Sequence, residues 1–119
     1  MGVQGGDLHA ALAAGLAIDA GGVRHVVWSD NRSMNPKLFS IYLAELNASG
    51  SKLAENDFEV NNLYENTNTT EPALAVRDNG EMTVCWRDDR NFLMDVFVRR
   101  LRWTGTALQA IDKKDFQVN

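Results

Sequence analysis

Trp28-Ser29-Asp30-Asn31-Arg32 and Trp86-Arg87-Asp88-Asp89-Arg90 set an indole, a carboxylate and a guanidinium at one spacing, and the two sets stand 58 positions apart. The chemistry open to them is recognition. A guanidinium is a planar fork of donors for anions and hydroxyls, a carboxylate accepts from sugar hydroxyls, and aromatic rings offer stacking surfaces. Read as a site, Asp30, Arg32, Asp88 and Arg90 bind ligand, with Tyr64 and Phe92 as the stacking rings. Read as scaffold, each Asp holds the loop after its strand through the Arg two residues on, and each Trp packs between layers. Recurrence favours the scaffold, because a catalytic site is asymmetric. No residue is assigned to catalysis.

The remaining reactive residues are sparse. His9 and His25 lack metal-ligand spacing, so the sequence predicts neither a metal nor a cofactor. Asp78-Asn79-Gly80 reads as a turn, and Glu55, Asp57, Glu59, Asp112 and Asp115 read as solvated loop charges. Cys85, the one cysteine, lies in an apolar run beside Trp86 and reads as a small core residue.

The elements that position the motif are themselves duplicated. Leu16, Ala17, Gly22 and Val26 recur as Leu74, Ala75, Gly80 and Val84 at the same 58-residue offset. Beyond the motif the offset is 55, where Leu46 and Gly50 meet Leu101 and Gly105. It returns to 58 where Asp57, Phe58, Val60 and Asn61 meet Asp115, Phe116, Val118 and Asn119. Length changes confined to loops are what tandem units tolerate. Residues 1–61 make one unit with its leading linker and 62–119 the next, both parts of a single fold.

Each unit carries four stretches of strand character. They are Leu12 to Asp19, Val23 to Ser29, Leu38 to Leu46 and Phe58 to Asn61 in the first copy. In the second they are Ala73 to Arg77, Met82 to Arg87, Val96 to Trp103 and Phe116 to Asn119. Asn79-Gly80 between apolar runs is a hairpin signal, since both residues accept positive φ. The alanine content of Asp7 to Ala14 also suits a short helical turn before Ala13, but Pro72 at the matching place in the second copy argues for strand entry. Alternation puts Val26, Trp28 and Asp30 on one face and His25 and Val27 on the other, so both faces need cover. The class is all-β, with two four-stranded antiparallel meanders.

Composition narrows the partners. A net charge of −4, from 12 Lys and Arg against 16 Asp and Glu without a basic cluster, argues against a nucleic-acid surface. No apolar stretch is long enough to span a membrane as a helix, and the alanine-rich segment Leu8 to Ile18 lacks the basic start of a signal peptide. The sequence leaves the cellular compartment open.

The order Pro72-Ala73-Leu74-Ala75-Val76, Asp78-Asn79-Gly80, Val84-Cys85-Trp86-Arg87-Asp88-Asp89-Arg90, Asp95-Val96-Phe97-Val98, Gly105 and Phe116-Gln117-Val118-Asn119 resembles the repeat of bacterial β-propellers of the broad sialidase-like kind. The first copy departs from it at Ala14, where the proline would stand. The resemblance implies that each unit is one blade and that ligands, glycans among them, enter at the loop-lined rim. It also implies an alternative, a glycoside hydrolase whose site forms only in the closed ring, with Tyr64 beside Glu65 as its one loop tyrosine. A structural element without a ligand, or a fragment cut from a longer propeller, is the third reading. The sialidase Asp-box itself is absent, because Ser29-Asp30-Asn31 lacks the glycine and tryptophan that should follow.

Two blades do not close a ring, which typically takes four to eight. Strand length and spacing give each blade face about 350 Å² of projected area. Covering two faces that are two-thirds apolar contributes on the order of 10 kcal/mol, comparable to the stability of a whole domain. The sequence therefore predicts head-to-tail homo-oligomers: three chains for a six-bladed ring, favoured, or four for eight blades.

Overall fold

A computed structural model describes residues 11–32, 39–61 and 68–119. Among them the chain is all β, in two antiparallel sheets. The first sheet runs β1 (Ala11–Ile18), β2 (Arg24–Asp30), β3 (Ser40–Leu46) and β4 (Phe58–Glu59) in sequential order. The second runs β5 (Thr69–Val76), β6 (Glu81–Asp88), β7 (Asp95–Trp103) and β8 (Leu108–Ala110), with β9 (Phe116–Gln117) also paired to β7. No described helix is long and apolar enough to cross a membrane.

Three sequence-based boundaries need correction. The second sheet has five strands rather than four, because Leu108–Ala110 pairs with the end of β7 before β9 does. Strand β5 starts at Thr69, inside the stretch expected to be linker, and β1 starts at Ala11. The strand entry expected from the repeat holds, since the chain is strand from Ala11 onward rather than the alternative helical turn before Ala13, and residues 1–10 lie outside the described set. An irregularity lets these first strands run long. Register shifts between Leu12 and Ala14, and again at the matching Thr70 and Ala73, absorb extra residues. Glu71 takes φ 55 in the second shift, next to Pro72, whose missing N–H a bulge tolerates.

The hairpins form where the turn chemistry dictates. Gly22 and Gly80, at φ 85 and 86, close the β1–β2 and β5–β6 turns, where a side chain is disfavoured. Their N–H groups donate to the carbonyls of Asp19 and Arg77, each at 3.0 Å. At Gly80 the chain also packs directly against the Trp103 carbonyl.

Register defines the faces. Val26, Trp28 and Asp30 stand opposite Ala44, Tyr42 and Ser40 on one face of the first sheet, while His25, Val27 and Ser29 stand opposite Glu45, Leu43 and Ile41 on the other. In the second sheet Met82, Val84 and Trp86 share their face with Leu101, Arg99 and Phe97. The sheets stack with the His25 face of the first on the Trp86 face of the second. Val27, Ile41, Leu43 and Val60 pack there with Met82, Val84, Trp86, Phe97, Leu101 and Trp103 in one buried cluster. Strand β5 lies against β1, β2 and β3.

Polar groups fix the stack. Phe39, at the entry to β3, donates its N–H to Asn68 Oδ1 and accepts at its carbonyl from the Thr69 N–H and hydroxyl. Arg99 reaches across from β7 and gives Nη1 to the Val60 carbonyl at 2.9 Å, with Nε and Nη2 on the carbonyls of Asp112 and Lys113. Its guanidinium also lies over the Phe58 ring, 5.6 Å from the centroid.

Candidate functional site

Strands β2 and β6 end on the two motifs, and each motif closes into the same clamp. Trp86 Nε1 donates to Asp88 Oδ2 at 3.2 Å, and Arg90 donates its backbone N–H and Nε to Asp88 Oδ1 at 2.9 and 3.0 Å. Arg90 then bridges to Asp115 through Nη1 and Nη2 at 2.9 and 3.0 Å, and its guanidinium stacks on Phe97 at 3.8 Å. In the first sheet Trp28 Nε1 donates to Asp30 at 3.1 Å, and Arg32 donates to both Asp30 and Asp57. Tyr42 takes the place of Phe97 under the Arg32 guanidinium, at 4.0 Å.

The fourth member of each clamp corrects the sequence reading. Asp115 is buried against Arg90 and Asp57 holds Arg32 and Lys52, so neither is a solvated loop charge. Asp112 likewise pairs with Arg100 and receives its backbone N–H. The signal was present in the sequence: Asp57 and Asp115 recur at the same 58-residue offset as the motif.

Electrostatics follow from this packing. Burial raises the pKa of Asp30, but Arg32 and the Trp28 indole outweigh it and hold the carboxyl below the usual range. The hydrogen bond to Asp30, against burial, with Asp57 adding to it, raises the pKa of Arg32. Burial opposes the charge on Arg90, yet Asp88 and Asp115 hold it firmly protonated. Burial pushes the Tyr42 phenol up to about 12, with Glu59 adding to it.

The six candidate ligand residues thus separate. Asp88 is fully buried and the Arg90 side chain is nearly so, whereas Arg32 remains 36% exposed. Phe92 stands free of the clamp at 98% exposure, in the left-handed region at φ 72, with its N–H on the Asp89 carbonyl at 2.9 Å. Leu93 and Met94 follow it, also exposed. Tyr64, and Glu65 beside it, lie outside the described residues.

One constellation was not read from the sequence. Fully buried His25 sits between two carboxylates, with Nε2 2.9 Å from Asp19 and Nδ1 3.2 Å from Glu45. Ionised carboxylates only accept, so the imidazolium alone satisfies both contacts at once. Burial lowers the His25 pKa, but the hydrogen bonds to Glu45 and Asp19 outweigh it and raise the pKa above its ordinary value. Trp103 covers the ring edge-on from the second sheet, centroids 6.5 Å apart. Asp19 also caps the β1–β2 turn by accepting from the N–H groups of Gly21 and Val23.

Cys85 is half-buried on the outward face of the second sheet, not in the core cluster. No family model, curated protein or solved structure matches the chain.

Proposed function

We propose that the chain is a β-propeller binding and interaction module in which each sheet is one blade and copies of the chain complete the ring. Three chains and six blades are the favoured closure. The ligand enters at the rim where the β2–β3 and β6–β7 loops open, and its class is a glycan. Phe92 carries this reading. A phenylalanine at φ 72 costs on the order of 1 kcal/mol relative to a relaxed backbone, and it displays an aromatic face to solvent rather than to the core. Such a ring stacks on the apolar face of a pyranose. Arg32, the less buried of the two motif arginines, supplies N–H donors for a ligand hydroxyl or carboxylate.

The buried Asp88–Arg90–Asp115 clamp acts here as the fastener that sets the loop bearing Phe92. Arg90→Ala should therefore lower stability, whereas Phe92→Ala should leave fold and assembly intact and abolish ligand capture. Glycan-array binding by the assembled protein, compared with Phe92→Ala, tests the proposal. Equal signals from both proteins, or none from either, would count against it. Turnover of chromogenic glycosides, lost in Tyr64→Phe, would favour the hydrolase instead.

A further inference from the structure

The two outward sheet faces are matched halves of a joint that the chain already makes once internally. Each residue at the internal joint has a repeat partner outside it. Val60 is fully buried and Val118 is 54% exposed; Phe58 packs against the core and Phe116 is 44% exposed. In the other direction Leu74 and Val76 pack against the core, while their counterparts Leu16 and Ile18 are 62% and 54% exposed. Trp86 is buried, and its counterpart Trp28 is only half-buried. The chain therefore exposes on the Trp28 face what the second sheet buries, and on the Val98 and Phe116 face what the first sheet buries.

From this we infer that the occupant of each face is a second copy of this chain, docked in one polarity: the Trp28 face of one copy seats on the Val98 and Phe116 face of the next. This rests on the propeller reading above and specifies its partner surface. The two faces also suit each other in detail. The receiving face is shallow at its centre, with Ala73, Ala75, Thr83 and Cys85, as a surface that accepts the half-buried Trp28 must be. Val96 and Val98 flank it where Ile41 and Leu43 line the internal joint. On the incoming face Glu59 Oε2 is buried with no hydrogen-bond partner among the described residues. Arg99, which ties the internal joint through Val60, has Ala44 as its counterpart, so the joint between copies relies mainly on apolar contact.

A one-polarity joint is heterologous, and it can be told from a symmetric one by complementation. Leu16→Asp spoils the incoming face and Phe116→Asp the receiving face, both at exposed positions that a folded single chain tolerates. Each variant alone should run as a single chain with native far-UV circular dichroism. Mixed in equal amounts they should form a two-chain species and nothing larger, through the one intact face of each. Ile18→Asp with Val118→Asp should repeat the result. If the wild type is itself a single chain, both the propeller assembly and this joint fall. If the wild type assembles but either variant alone still does, or the mixture yields no two-chain species, the assembly stands and the stated polarity is wrong.

Discussion

Val60 and Val118 occupy the same place 58 residues apart and differ only in what lies over them. Val60 donates its N–H to the Ile41 carbonyl at 2.7 Å and is fully buried; Val118 donates to the Val96 carbonyl at 3.0 Å and is 54% exposed. Local sequence and local hydrogen bonding are therefore alike in the two copies, and the difference in burial comes from stacking alone. The second sheet covers Val60 and no described residue covers Val118.

The clamp arginines should be unequal. Arg90→Ala takes the guanidinium away from the buried Asp88 and Asp115 carboxylates, at a cost of about 3–5 kcal/mol. Arg32→Ala at the more exposed clamp should cost about 1 kcal/mol, because solvent screens that pair. Urea unfolding of both variants checks the order, and equal losses would contradict it.

Stability should depend on pH through His25. Its folded pKa lies above the ordinary value of about 6.5, so its contribution is full below that pH and is lost as pH rises through the raised folded value. His25→Gln should cost about 2–3 kcal/mol at pH 6, and the gap to wild type should close as the solution turns alkaline. Thermal melts across that range read the effect; a gap that widens with pH would contradict the imidazolium assignment.

Glycine substitutions should separate two kinds of cost. Gly50→Ala carries only the left-handed backbone penalty, about 1 kcal/mol, because nothing lies near its added methyl. Gly80→Ala adds a collision with the Trp103 carbonyl and should cost at least about 2 kcal/mol more. Denaturation midpoints that fall equally would count against the close packing of the β5–β6 turn on β7.

The joint between the sheets should depend on Arg99 as a fork rather than as a charge. Its three nitrogens serve three carbonyls, on Val60, Asp112 and Lys113, so Arg99→Met should cost about 3 kcal/mol. Arg99→Lys should recover less than half of that, since an ammonium cannot span the same acceptors. Full recovery by lysine in the same unfolding assay would reduce the role to charge.

What could be read in the chain beforehand was whatever it states twice. The alternation around Trp28 and Trp86 gave the two faces, and Gly22 and Gly80 gave the turns. Features without such a double statement, or in strands too short to show a period, leave no pattern in the chain. Strand β8 covers three residues, Leu108–Ala110, and the first copy has only an isolated bridge from Leu46 to Lys52 near the matching place. Trp103 has Ala48 as its counterpart, so its cover of His25 left no pattern. Asp57 and Asp115 did recur, but each precedes a two-residue strand and looked like a loop charge. Their pairing with Arg32 and Arg90 spans 25 positions, a separation that local reading does not bridge.

The central claim is that copies of the chain cover one another's open faces. Light scattering on the eluting protein, across a range of concentrations, measures it directly. The expected species has three times the 13.2 kDa chain mass. A folded species of one chain mass at every concentration would contradict it.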